Sequence, residues 1–218
     1  MKTSRGRRPP EGTAGVIRVA FDSRPSGDER GVGRYTRSLL AALRAIGSHD
    51  VEIVETHRPR RVDVFHSPWM EGAILRSPCP MVVTVHDVAP LTRPSERLRG
   101  GGVHQRLRHL ALARATHVIV PTDAVADDAV TKLGLVRERV IVIPEAPDPA
   151  EGGSDRPGPG SQTWGWEDVA HATRRVYERA LSEPGRAFIS TPRVASAQLE
   201  SSSGGSPGRA RATSARGR

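Results

Sequence analysis

The sequence predicts an α/β fold of the doubly wound, Rossmann-like kind, with one parallel sheet of about six strands in one domain and a C-terminal amphipathic helix beyond it. Three observations carry this expectation. Short β-branched runs alternate with helix-like segments from Val16 to Ile143, the pattern of a sheet covered by helices on both faces. Of the 218 residues 36% are hydrophobic, enough for one core of about 100 to 150 residues with material left over. After Asp148 the run PAEGGSDRPGPGSQ is Pro, Gly and polar throughout, so regular structure is expected to stop there.

The strands are expected at Val16 to Phe21, Val51 to Thr56, Val62 to His66, Met81 to His86, Thr116 to Val120 and Val140 to Ile143. Between the first two, Val32, Tyr35, Leu39, Leu40, Leu43 and Ile46 recur at three- and four-residue spacing, one apolar face of a helix that Gly47 can end. Leu107, Leu110 and Ala111 suggest a helix ahead of the Thr116 strand. Thr122 suits an N-cap, Ala126, Ala129, Val130 and Leu133 form a buried stripe, and Gly134 suits the residue past the end. The connection 56–62 is too short for a helix. Trp166, Val169, Ala170, Thr173, Val176, Tyr177, Ala180 and Leu181 make a further stripe, with Glu167 and Asp168 at its positive N-terminal end. The expected organisation is a disordered basic tail over 1–15, the Rossmann-like domain over 16–148, a linker over 149–162, a helix over 163–183 and a disordered Arg/Ser/Gly tail over 184–218.

Charge sits mainly in the tails. Residues 16–149 carry 19 basic and 16 acidic side chains, whereas 184–218 carry six arginines against Glu200 alone. That tail lacks interleaved aromatics, so nonspecific, salt-sensitive contact with nucleic acid is the most it offers, and specific recognition is not expected. A single cysteine, Cys79, gives no disulfide framework and fits a reduced, cytoplasmic setting. No run approaches the length of a transmembrane span; peripheral contact with a membrane surface stays open.

In a doubly wound sheet ligands bind beyond the carboxyl ends of the strands, at the switch point. With the strand order 3-2-1-4-5-6, the Val16 and Met81 strands would be neighbours, and Asp22-Ser23-Arg24 with the loop to Gly33 would face His86-Asp87 across one crevice. The loop Gly27-Asp28-Glu29-Arg30-Gly31-Val32-Gly33 runs into a helix, so backbone N–H groups and the helix dipole suit a phosphate. Position 36 is Thr, so this is not a dinucleotide fingerprint; glycines serving only a tight connection explain the spacing equally. His86 ends an apolar strand, where a neutral imidazole can take a hydroxyl proton or bond a sugar; a histidine satisfied by a loop carbonyl fits as well. His66 ends its strand in the same manner, as a secondary contact or a structural group. The histidines 57, 104, 109 and 117 have no metal-site spacing with a carboxylate, and no nucleophile elbow occurs. No metal and no resident cofactor are expected.

Phe21-Asp22-Ser23-Arg24-Pro25, Gly31-Val32-Gly33-Arg34-Tyr35-Thr36, Asp63-Val64-Phe65-His66-Ser67-Pro68, Val83-Thr84-Val85-His86-Asp87-Val88-Ala89-Pro90 and Arg139-Val140-Ile141-Val142-Ile143-Pro144 together resemble successive blocks of the family 4, GT-B-fold glycosyltransferases over about residues 16–148. The resemblance implies a retaining sugar transfer from a nucleotide-sugar co-substrate, generally without metal. It implies that this domain binds the acceptor, a sugar or glycan, at a crevice holding Asp22, Arg24, His66 and Asp87. It also implies that Gly31, Gly33 and Arg34 approach the donor phosphates and that His86 is the catalytic histidine contacting the transferred sugar. The family's usual Asn-Gly after the last proline is Glu145-Ala146 here, which alters the hinge.

Where the family supplies a donor-binding domain, this chain has only residues 149–162, which lead to Thr163 and the segment from Trp164-Gly165-Trp166-Glu167 that resembles the family's terminal cross-over helix. The expectation is a truncated glycosyltransferase, its acceptor half folded and the helix docked in cis, inactive alone. The alternative is a non-catalytic module that binds a glycan or a separate donor-domain protein.

Overall fold

The computed structural model describes residues 15–29, 31–46, 50–89, 101–147 and 164–183. The expected tails ahead of Gly15 and over 184–218, the linker over 149–162 and the helix stop at Gly47 lie outside them. One six-stranded parallel sheet organises the chain: β1 (Ile17–Phe21), β2 (Val51–Glu55), β3 (Val64–Ser67), β4 (Met81–Thr84), β5 (His117–Val120) and β6 (Val140–Val142). Helices α1 (Gly31–Ala45), α2 (Gly101–Leu112), α3 (Asp123–Leu133) and α4 (Trp166–Ser182) cover it. This is the doubly wound, Rossmann-like arrangement. Strands β3, β4 and β5 are buried on both faces, which is why they read as continuous apolar runs with no alternation.

The strand order is β2-β1-β3-β4-β5-β6, which corrects the order 3-2-1-4-5-6. The strands beginning near Val16 and Met81 are not neighbours, because β3 pairs with both, Val19 opposite Val64 and Phe65 opposite Met81. The connection 56–63 explains the difference. It holds no helix, and its contacts are with β1: Asp63 N–H donates to the Arg18 carbonyl at 2.8 Å, Arg18 N–H donates to Asp63 Oδ2 at 2.8 Å, and Arg18 Nη1 donates to the carbonyl of Arg61. The chain is thereby laid on the free edge of β1. The switch point moves to the gap between β1 and β3.

One face is closed by α1 and α4, through Tyr35, Leu39, Leu43, Val169, Ala170, Val176, Tyr177 and Ala180 against Val19, Phe21, Val64 and Val82. Gly33 and the residues at three- and four-residue spacing after it point inward along α1. The other face is closed by α2 and α3, with Ala126, Ala129 and Leu133 against Val83, Val118 and Val120. Thr122 Oγ1 accepts from Val125 N–H at 3.2 Å and Gly134 takes the left-handed conformation with φ of 65°, so α3 has the expected cap and stop. The helix expected ahead of the Thr116 strand is α2; its Leu107 and Leu110 are exposed, and Ala111, Leu112 and the following Ala115 make the buried contact. None of the described helices is long and apolar enough to cross a membrane.

Candidate functional site

The carboxyl ends of β1, β3 and β4 converge on one rim. From β1 comes Asp22, whose side chain is fully enclosed. Arg24 returns to it through a tight turn, donating from Nε to Oδ1 at 2.8 Å and from Nη2 to Oδ2 at 2.7 Å. From β3 comes Trp69, whose indole Nε1 donates to Asp22 Oδ2 at 3.0 Å. The Arg24 guanidinium lies over that indole, 5.5 Å from the ring centre. Burial alone would raise the Asp22 carboxyl, but the hydrogen bonds from Arg24 and Trp69 and the arginine charge carry it below the ordinary carboxylate value. Asp22 is therefore an ionised anchor with every bond taken, and it fixes the two side chains that face outward.

Gly72 is part of the same construction. A Cβ there would overlap Ser67 Oγ, Asp22 Oδ2 and Trp69 Nε1, so the backbone after β3 closes on the anchor only with glycine in place. Ser67 Oγ holds the turn by donating to the Trp69 carbonyl at 2.7 Å.

His86 stands just past β4, partly buried. Nε2 donates to the Pro68 carbonyl at 2.9 Å, and Nδ1 lies 2.7 Å from Glu145 Oε1. A carbonyl accepts only, so Nε2 carries a proton. The Glu145 contact then needs a second proton, shared between Nδ1 and the carboxylate. Both ring nitrogens are occupied by the protein, and neither can meet a hydroxyl without giving up a partner. The ring also packs edge-on against Tyr35, with centres 4.6 Å apart. Asp87, exposed next to it, accepts from Ala89 N–H at 2.8 Å and caps the following turn.

His66 lies inside. It is 0% exposed, with Nδ1 2.6 Å from the Tyr177 hydroxyl on α4 and Nε2 3.1 Å from Thr84 Oγ1. Thr84 Oγ1 in turn lies 3.4 Å from the Tyr35 hydroxyl. Burial depresses the His66 imidazole to about 3, with the nearby His86 adding and Asp22 opposing. A buried polar chain, Tyr177 to His66 to Thr84 to Tyr35, thus joins α4 to β3, β4 and α1 directly beneath His86. His66 is enclosed beneath the rim and is not exposed at it.

Gly31, Gly33 and Arg34 form the first turn of α1. Gly33 is buried, and a Cβ on it would overlap the Asp28 carbonyl, so its glycine is required by packing; a Cβ on Gly31 would meet nothing. Arg34 is partly buried on the same turn.

The residue signals had brought forward Asp22, Arg24 and His86 but not Trp69, Tyr177 or Glu145. Trp69 carried a legible signal, a rare aromatic just past a strand end; Glu145 stood where the family's pattern breaks. Nothing in the sequence pairs Tyr177 with His66, 111 positions apart. Among the described residues, no cluster of His, Cys, Asp and Glu is arranged to hold a metal ion.

The fold and this rim define a doubly wound, Rossmann-like domain with a hydrogen-bonded polar cluster at the switch point between β1 and β3. The chain belongs to Glycosyltransferase Family 4, whose model matches residues 4–151. No curated protein matches the sequence.

Proposed function

We propose that the chain is the acceptor-side half of a retaining, nucleotide-sugar-dependent glycosyltransferase, and that it does not transfer sugar alone. The family assignment supports sugar transfer as the class of chemistry. The observation that carries the reading is the rim itself: Asp22, Arg24, Trp69 and His86 are locked by hydrogen bonds at the carboxyl ends of three strands, which is where such a sheet binds ligands. His86 is the residue that meets the transferred sugar, in exchange for Glu145 or Pro68. Gly31, Gly33 and Arg34 are the donor-phosphate side, at the N-terminus of α1, where N–H groups and the helix dipole favour anions.

Inactivity follows from what a transfer needs. Positioning of donor against acceptor and stabilisation of the leaving phosphate supply most of the rate, and both need two walls. Between the last residue of the family match and α4 stand only residues 152–165, too few for a donor-binding domain. The test is incubation of the purified chain with radiolabelled nucleotide sugars and a panel of saccharide acceptors. Background incorporation is expected; turnover would refute the inactivity.

A second reading, a non-catalytic module that pairs with a separate donor-domain protein, draws on one observation. A groove of about 250 Å³ between β6 and α4 is lined by Ile141, Ile143, Trp164 and Val176 with Arg175 and Arg179, apolar surface of the kind that a partner covers. Size-exclusion of the chain with a candidate partner checks it; a monomer in every mixture would remove it. The cytoplasmic setting belongs to both readings.

A further inference from the structure

We propose that Arg24 and Trp69 form an acceptor subsite for a saccharide carrying an oxyanion, a carboxylate or a phosphate. The proposal rests on the reading of this rim as the acceptor side of the crevice and names the chemistry that the rim selects.

The argument starts from what the subsite has left to offer. Both oxygens of Asp22 are taken, Oδ1 by Arg24 Nε and backbone N–H, Oδ2 by Arg24 Nη2 and Trp69 Nε1. The indole N–H is used by the same carboxylate. Arg24 keeps Nη1, which no described residue engages, on a side chain 49% exposed. The Arg24–Trp69 pair therefore presents a donor edge and no acceptor of its own. A sugar hydroxyl both donates and accepts, so half of its capacity would go unmet here; an oxyanion only accepts, and loses nothing.

The guanidinium is also prepared for such a ligand. Asp22 holds it by two parallel bonds on its inner edge, and Trp69 lies against one flat side. A free arginine must give up rotamer freedom and part of its hydration to bind an anion; Arg24 has already given up both. The negative charge of Asp22 is enclosed behind the guanidinium, so an incoming oxyanion meets N–H groups first. The position is right for an acceptor. Trp69 follows Pro68, whose carbonyl holds His86, so Arg24 and the histidine are tied to neighbouring residues of one turn.

The test reads the Trp69 indole N–H resonance, assigned with Trp69→Phe, in titrations with methyl glucuronide, glucose 6-phosphate, methyl glucoside and inorganic phosphate. The glucuronide or glucose 6-phosphate is expected to bind about tenfold more tightly than the glucoside. Arg24→Lys, which keeps a cation beside Asp22 but lacks the outer N–H edge, is expected to remove that preference. Because loss of Arg24 can leave Asp22 buried and uncompensated, the double variant Asp22→Asn/Arg24→Gln, which removes both charges, is measured alongside and is expected to behave as Arg24→Lys does. Equal affinity for glucoside and both anionic sugars would overturn the charge selection while leaving the crevice a sugar site. Inorganic phosphate binding as tightly as glucose 6-phosphate, with no shift from any glycoside, would overturn the saccharide reading of the crevice itself.

Discussion

The hydroxyl of Tyr177, on α4, lies 2.6 Å from Nδ1 of His66, at the centre of the sheet, and both side chains are fully buried. This bond fastens α4 to the strands whose ends carry Asp22, Trp69 and His86. Trp166 adds a second point, its ring 5.7 Å from that of Tyr35. Helix α4 is thereby an integral part of the described domain, and it closes the same face as α1.

Tyr177→Phe tests that fastening. The change keeps the ring and leaves one buried imidazole nitrogen without a partner, so a loss of about 1 to 3 kcal/mol is expected. Urea denaturation of both proteins measures it. An unchanged midpoint would mean that His66 finds another partner and that the bond does not hold the helix.

Stability is expected to fall with pH through a defined window. His66 titrates near 3 in the folded protein against an ordinary value of 6.5. Between those values the unfolded chain binds a proton that the folded chain refuses. Stability is complete above 6.5 and is lost as pH falls toward 3, with roughly 3 kcal/mol gone by pH 4.5. His117, lowered by burial, acts in the same direction. Denaturation midpoints at pH 7 and 4.5 check this, and a flat profile would contradict an enclosed, neutral His66.

Gly72→Ala is expected to be disruptive although alanine is small. Its Cβ would overlap Ser67, Asp22 and Trp69 together, and two of these are tied into the Asp22 anchor. A loss of about 1 to 3 kcal/mol is expected, as for overpacked cores, with a displaced Trp69 indole resonance. Gly31→Ala, where nothing stands within reach, serves as the control and should be close to neutral.

Glu145→Gln probes the clamp on His86. Glutamine can donate an amide N–H to Nδ1, so the ring is expected to stay in place with its one proton on Nε2, facing the Pro68 carbonyl. The stability cost should be about 1 kcal/mol or less for this partly exposed pair, 18% and 28% exposed. Nitrogen-resolved spectra of the imidazole read the proton directly. A proton found on Nδ1 in the variant would contradict the assigned geometry.

Much of the fold was legible because its signals are local. Six β-branched runs, the α1 stripe, the Thr122 cap and the Gly134 stop each report a few neighbouring residues. The strand order was not legible in that way. It is decided by where the 56–63 connection lies, through Arg18 and Asp63, 45 positions apart, and both orders give identical local patterns. The site divides along the same line. Asp22, Arg24 and His86 could be read from their places at strand ends, whereas Trp69 gains its meaning from Asp22 and Tyr177 from His66, which only the folded chain brings together. Glu145 was visible as a departure, but the departure reads as a hinge change until His86 is seen beside it.

The most direct test of the account is a map of where sugars touch the domain. Backbone and side-chain resonances of the purified chain are followed while nucleotide sugars and saccharides are added. The account expects shifts clustered at Asp22 to Arg24, Pro68 to Trp69 and His86, at the carboxyl ends of β1, β3 and β4. Shifts confined to the groove between β6 and α4, with the rim silent, would contradict it.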